Sequence, residues 1–173
     1  MSSSSAASRS WQRLALVSCL SLTMPCIAVA NQQLDTMSKD HNQWVIPAGD
    51  YASRRYSSLD QINTSNVKNL HVAWTMSTGS LRGHEGQPLV VGDTMYYESS
   101  FPNYVYAVSL KEPGRILWKF APQQDKFAPS VACCDVVNRG VAYANGVIYA
   151  NALDGNLYAL DAKSGNVKWK VKN

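Results

Sequence analysis

Beyond the first thirty residues the apolar positions fall in short runs separated by turn residues at close intervals. No stretch there holds a helical period of useful length, and only Gln32 to His41 suits a short helical turn. Brief apolar or alternating runs between frequent turns are the pattern of an all-β chain.

The runs also repeat. Leu89-Val90-Val91-Gly92-Asp93-Thr94-Met95-Tyr96 aligns with Ala142-Tyr143-Ala144-Asn145-Gly146-Val147-Ile148-Tyr149. Val105-Tyr106-Ala107-Val108 aligns with Leu157-Tyr158-Ala159-Leu160, and Ile116-Leu117-Trp118-Lys119 with Val167-Lys168-Trp169-Lys170. The spacing is 53 from Tyr96 to Tyr149, 52 from Tyr106 to Tyr158 and 51 from Trp118 to Trp169. Each unit reads as four strands. In the second they are expected at Gly140–Tyr143, Val147–Ala150, Asn156–Leu160 and Val167–Val171. Asn145-Gly146 suits a two-residue hairpin turn, which needs positive φ at both positions. Asp154-Gly155 and Ser164-Gly165-Asn166 mark the next turns, and Pro113-Gly114 marks one in the first unit. Four antiparallel strands at this period predict β-propeller blades. The alternation of Tyr158 and Leu160 with Ala159 and Asp161 predicts one set on each blade face. Trp118 and Trp169 are placed to wedge between neighbouring blades, and Trp74 reads as the tail of a preceding unit.

A blade cannot bury both faces alone, and a closed ring needs roughly four to eight of them. The sequence supplies about two, plus one leading strand, and stops directly after a strand. It is therefore expected to be a truncated record or product; the alternative is a naturally short protein with exposed sheet edges.

Composition adds compartment and excludes some partners. The chain has 173 residues, 46% hydrophobic and 16% charged, which suits a domain with a real core. Residues 1–30 read as a secretory signal: Arg9 and Arg13, an apolar stretch from Leu14 to Val29, and the cleavage site Ala28-Val29-Ala30. The stretch is too short and too interrupted to span a membrane. Leu16-Val17-Ser18-Cys19 loosely fits a lipoprotein box, but too little apolar chain precedes Cys19. The expected location is the periplasm, with residues 31–173 as the mature part. Without Arg9 and Arg13 the balance is 14 basic against 12 acidic residues, a net +2, with no basic–aromatic run to suggest nucleic acid.

Cleavage would also remove Cys19 and Cys26 and leave only the adjacent Cys133 and Cys134. In an oxidising compartment exposed thiols rarely stay free. A bridge between neighbours would draw the intervening peptide out of its relaxed planar trans form, and such strain gathers at functional sites. A metal-binding pair and two inert thiols remain as alternatives, although His41, His71 and His84 are scattered and no further Cys follows. Arg139 lies five residues after Cys134, and a guanidinium fork suits a carboxylate ligand. Leu81-Arg82-Gly83-His84-Glu85-Gly86-Gln87-Pro88 is a Gly-rich loop entering a strand. Its glycines would let the backbone approach a ligand, with Glu85 as an acceptor; His84 receives no role. Phosphate-loop, G-x-S-x-G, H-E-x-x-H and dinucleotide fingerprints are absent.

Taken together, these segments resemble the pyrroloquinoline quinone (PQQ) dependent alcohol dehydrogenases. Tyr56 to Leu70 resembles their N-terminal signature. Arg82-Gly83-His84-Glu85-Gly86 and Cys133-Cys134-Asp135-Val136-Val137-Asn138-Arg139-Gly140 resemble the methanol dehydrogenase large subunit most closely. Ala159 to Trp169 is similar to the family's tryptophan-docking repeat. The resemblance implies an eight-bladed propeller with PQQ on its axis. It implies a Cys133–Cys134 disulfide against one face of the quinone, with Glu85 and Arg139 contacting the cofactor. It further implies a calcium or lanthanide ion, a small primary alcohol such as methanol as substrate, and a soluble cytochrome c as electron acceptor. A homodimer or a small second subunit accompanies some such enzymes. The metal ligands and catalytic base belong to later parts of the family's chain, so these 173 residues alone are expected to be inactive. A non-catalytic propeller serving as an envelope scaffold would share the repeat and the signal, but has no reason to carry the cysteine pair.

Overall fold

A computed structural model describes residues 31–172, so the leader of residues 1–30 lies outside the described part. A short helix α1, Gln32–Met37, opens it, and the Asn31 side chain caps this helix by accepting from the amides of Gln33 and Leu34. After one turn of 3-10 helix at Val67–Asn69 come β1 (Leu89–Val91), β2 (Thr94–Glu98), β3 (Val105–Ser109) and β4 (Ile116–Phe120). A four-residue helix α2 (Ala128–Val131) precedes β5 (Ala142–Ala144), β6 (Val147–Asn151), β7 (Asn156–Asp161) and β8 (Val167–Lys172). The strands form two four-stranded antiparallel sheets, each in simple chain order.

The two sheets repeat residue by residue. In the first, Ala107 pairs with Tyr96 on one side and Trp118 on the other. In the second, Ala159 pairs with Tyr149 and Trp169. Both Tyr–Trp pairs have ring centroids 5.9 Å apart across the small alanine. Each outer pairing then slips by one residue, leaving Leu117 unmatched in β4 and Lys168 unmatched in β8. A bulge at the same place in each sheet bends and twists the outer strand. Asn145 and Gly146 join β5 to β6 with φ of 50° and 75°, as the hairpin turn requires.

The sheets pack face to face over one apolar core. Leu89, Tyr96, Val105 and Ala107 meet Ile148, Ala150, Tyr158, Leu160 and Ala162. Trp118 is the wedge between them: its indole N–H donates to the Ala162 carbonyl at 3.1 Å, and the Tyr96 hydroxyl donates to the same oxygen at 3.0 Å. A buried indole or phenol needs such a partner for its polar end.

Two expectations are corrected. The first strand of the second unit begins at Ala142, not Gly140, because Gly140 adopts φ +100° and is held by contacts with another loop. The central strands carry alternate residues on opposite faces as expected, and both faces are covered. Every residue of β3 is buried, and so are Tyr158, Ala159 and Leu160 of β7. A strand covered on both faces loses the alternation of buried and exposed positions, and Ala159 lies beneath Tyr149 and Trp169. Leu70 to Trp74 forms no named strand, since the ladder of the first sheet begins only at Leu89. Trp74 nevertheless approaches Gly114, as Trp118 approaches Gly165.

Candidate functional site: two loops entering the first strand of each sheet

Residues 81–88 lead into β1 and residues 132–141 lead into β5, which bring the two loops side by side. His84 and Asn138 form an isolated parallel bridge. The Gln87 amide donates to the Arg139 carbonyl at 3.2 Å, and the Phe101 amide to the Val136 carbonyl at 2.9 Å. Val136, only 6% exposed, anchors the cysteine loop in the interior. Glycine allows the backbones to meet. A Cβ at Gly140 would lie 2.6 Å from the Gln87 carbonyl oxygen, and one at Gly86 would lie 2.4 Å from that of Glu98. Both glycines of the 81–88 loop thus face neighbouring protein atoms: a Cβ at Gly83 would lie 3.0 Å from a Val136 methyl carbon.

Two ion pairs cross between the loops. An Arg139 Nη2 lies 3.2 Å from a Glu85 carboxylate oxygen, and an Arg82 Nη2 lies 3.2 Å from Asp135. The Arg139 side chain is 80% exposed and that of Glu85 46%. Exposed pairs add about 0–1 kcal/mol to stability, so their value lies in where they hold charge. Cys133 and Cys134 are joined as a disulfide with Cα atoms 3.8 Å apart. That is the spacing across a trans peptide, and the Phe101–Pro102 bond is the only cis peptide among the described residues. The peptide between the two cysteines is therefore not cis. Both cysteines are solvent-exposed. Asp135, next to Cys134 and at φ 65°, ties the disulfide to the 81–88 loop through Arg82.

Behind this exposed face lies a buried polar layer. Glu98, at the end of β2, is 1% exposed. One of its oxygens accepts from Asn138 Nδ2 at 3.1 Å, and the other has no partner. Burial raises its carboxyl well above the ordinary value, only partly offset by the Asn138 contact. Asn138 Nδ2 also donates to the Asn151 carbonyl at 2.8 Å, and its Oδ1 accepts from the Gly140 amide at 2.7 Å. His84 has a definite place too. Its Nε2 lies 2.8 Å from the Ser80 carbonyl and its Nδ1 2.9 Å from the Tyr97 hydroxyl. A carbonyl only accepts, so Nε2 carries the proton and, in the neutral ring, Nδ1 accepts from Tyr97. Burial, with help from Tyr106 and Glu98, raises the Tyr97 phenol above its ordinary value.

None of the four candidate residues lines the cleft of about 480 Å³ beside α1, which is bounded by Lys39, His41, Trp44, Asp50, Arg54 and Tyr56 among others. Among the described residues no group of three or more His, Cys, Asp or Glu converges on a point.

Residues 44–170 match the family described as the β-propeller domain of glucose/ethanol/alcohol dehydrogenases, designated PQQ. The chain belongs to this family. The lanthanide-dependent methanol dehydrogenase of Methylacidiphilum fumariolicum (strain SolV) is 54% identical over 148 residues, which are 85% of this chain and 24% of that protein. Methanol dehydrogenase (cytochrome c) subunit 1 of Paracoccus denitrificans is 48% identical over 84% of this chain and 24% of its own length. A solved europium-containing methanol dehydrogenase superposes with a TM-score of 0.80 at 54% identity, over 83% of this chain and 25% of that one. The chain therefore spans about a quarter of the length of these relatives, and its two sheets belong to a PQQ dehydrogenase β-propeller.

Within that propeller, the residues singled out by sequence meet in one loop pair. Glu85 touches Arg139, and the disulfide sits on the same loop as Arg139. Glu98, Asn138 and the His84–Tyr97 contact received no role from sequence. Period two along β2 carried a signal for Glu98: it stands two residues from core Tyr96, on the same buried face.

Proposed function

We propose that this chain is part of a periplasmic, PQQ-dependent dehydrogenase that oxidises methanol or another small primary alcohol and passes the electrons to a soluble cytochrome c. The observation that carries the reading is the exposed Cys133–Cys134 disulfide on the loop that also presents Arg139 to Glu85, in a chain of the PQQ propeller family. The names of the methanol dehydrogenase relatives support the substrate, and the cytochrome c in one of those names supports the acceptor. The signal-like residues 1–30 support export.

The donor set fits an anionic, planar cofactor. Arg139 is the more exposed partner of its ion pair, so its fork keeps donors for a carboxylate of PQQ. Glu85 holds the guanidinium in place and accepts from a polar edge. The disulfide, clear of the core, offers a polarisable face for an aromatic ring. When bound, PQQ with a calcium or lanthanide ion supplies the electron acceptor for the alcohol. The ligands of that ion are expected beyond residue 173. A homodimer or an added small subunit is part of the same proposal.

The test is expression of the full reading frame, reconstitution with PQQ and either calcium or a lanthanide, and measurement of alcohol-dependent reduction of an artificial dye and of cytochrome c. Dye reduction with methanol is the expected result. A loaded protein that reduces no dye with any primary alcohol would sink the reading. Residues 1–30 fused to a periplasm-dependent reporter test export, and light scattering of the purified protein reports subunit number.

A further inference from the structure

We propose that Glu98 is a positioning residue of the cofactor site: it holds Asn138, and through Asn138 the turn that presents Arg139 to Glu85. The inference deepens the reading above and rests on it wherever PQQ is the readout.

The chain of contacts is short and continuous. Glu98 Oε1 accepts from Asn138 Nδ2 at 3.1 Å. The other end of the same amide accepts from the Gly140 amide at 2.7 Å. Arg139 is the residue enclosed between those two anchor points, and its own carbonyl is pinned by the Gln87 amide at 3.2 Å. Its side chain is 80% exposed and paired with Glu85, so the backbone turn sets where the guanidinium starts from and whether it reaches that partner. Asn138 Nδ2 also reaches the Asn151 carbonyl at the end of β6. The link therefore joins the last residue of β2 in one sheet to the last residue of β6 in the other.

Glu98 carries a carboxyl where an amide or alcohol would make the same contact, and this shows its state. The side chain is 1% exposed and its Oε2 is closed off from solvent. Residues 31–172 alone suffice to enclose that oxygen. Among the described residues it is the Asn138 amide, a neutral group, that bears on its charge. An ionised carboxylate without a counter-charge is very costly in such a place, whereas the protonated acid is tolerated. Glu98 therefore acts as a neutral acceptor, and its role should survive replacement by glutamine.

Apo-protein of the full reading frame is compared as wild type, Glu98→Gln, Glu98→Ala and Glu98→Leu. Affinity for PQQ is measured by titration, and hydrogen exchange is followed at the Gln87 and Gly140 amides. Glu98→Ala is expected to raise the Kd for PQQ about tenfold, the scale of one lost buried hydrogen bond, while Glu98→Gln stays within about twofold. Protection of the two amides is expected to fall in Glu98→Ala and to persist in Glu98→Gln. If Glu98→Ala does not fold, Glu98→Leu removes the acceptor while filling the space. Unchanged affinity and protection in the Ala and Leu variants would overturn the proposal, as would a Gln variant damaged as severely as Ala. A wild type that binds no PQQ defeats the functional reading, and amide protection alone then decides whether Glu98 braces the turn.

Discussion

The Trp118 ring lies flat enough against Gly165 that a Cβ on that glycine would fall 2.7 Å from two of its ring carbons. Gly165 also holds φ 73°, so the position needs glycine for space and for conformation together. The contact joins the outer strand of one sheet to a turn of the next, and the indole's bond to Ala162 completes it. Gly165→Ala in the full reading frame is expected to lower unfolding free energy by about 2 kcal/mol, within the usual range for such strain. Trp118→Phe, which loses the N–H donor and the five-membered ring, should cost about 2 kcal/mol. Urea denaturation at constant m-value checks both. A stability change near zero for Gly165→Ala would mean the sheets do not dock as described.

Arg139 and Glu85 face solvent, which separates their contribution to binding from their contribution to folding. Arg139→Ala should leave stability within about 1 kcal/mol of wild type, because an exposed pair contributes little. The same change should strip PQQ from the purified protein, since a bidentate carboxylate partner is lost. Arg139→Lys is expected to recover only part of the occupancy, as a point charge cannot replace the fork. Cofactor content per protein and thermal unfolding of the apo form, measured together, distinguish this from general destabilisation.

The Cys133–Cys134 bridge spans a sequence separation of one. A loop that small removes little freedom from the unfolded chain, at most about 1 kcal/mol by loop-closure entropy. The Cys133→Ser/Cys134→Ser double variant should therefore fold nearly as stably as wild type while losing alcohol-dependent dye reduction. Intact mass of the wild type should rise by two hydrogens on reduction. A double variant that keeps full activity would leave the bridge without a functional role.

The repeat made the architecture legible. Tyrosine, alanine and tryptophan recur at nearly constant spacing, and they proved to be cross-strand neighbours in both sheets. Turn residues placed the hairpins well because their conformational demand is local, as Asn145 and Gly146 show. What escaped was contact between segments distant in sequence. Gly86 was read as room for a ligand, yet it admits the Glu98 carbonyl from β2. His84 received no role, yet Tyr97 and Ser80 fix both its nitrogens. Asn138 lay inside a quoted motif, but its reach to both β2 and β6 depends on sheet packing that no local pattern encodes.

The buried carboxyl of Glu98 makes stability depend on pH in a direction opposite to that of a salt-bridged acid. Its folded-state pKa is raised well above the ordinary 4.5, chiefly by burial. Below that ordinary value the acid is protonated in both states and exerts no pH effect. As pH rises past about 4.5 the unfolded chain releases the proton and the folded chain keeps it, so the native state binds more protons and stability falls. The slope approaches about 1.4 kcal/mol per pH unit, the limit for one proton, and levels off only above the folded pKa. Tyr97 is the other titrating neighbour, but its phenol is shifted upward, so it ionises only in strongly alkaline solution and leaves this window clear. Glu98→Gln removes the proton and the slope with it. The variant should match the wild type near pH 4 and exceed it increasingly as pH rises above about 5, until the raised folded-state pKa is passed, as read from urea midpoints at each pH. Parallel curves for the two proteins would show that Glu98 is ionised in the folded state, and a counter-charge would then have to be found.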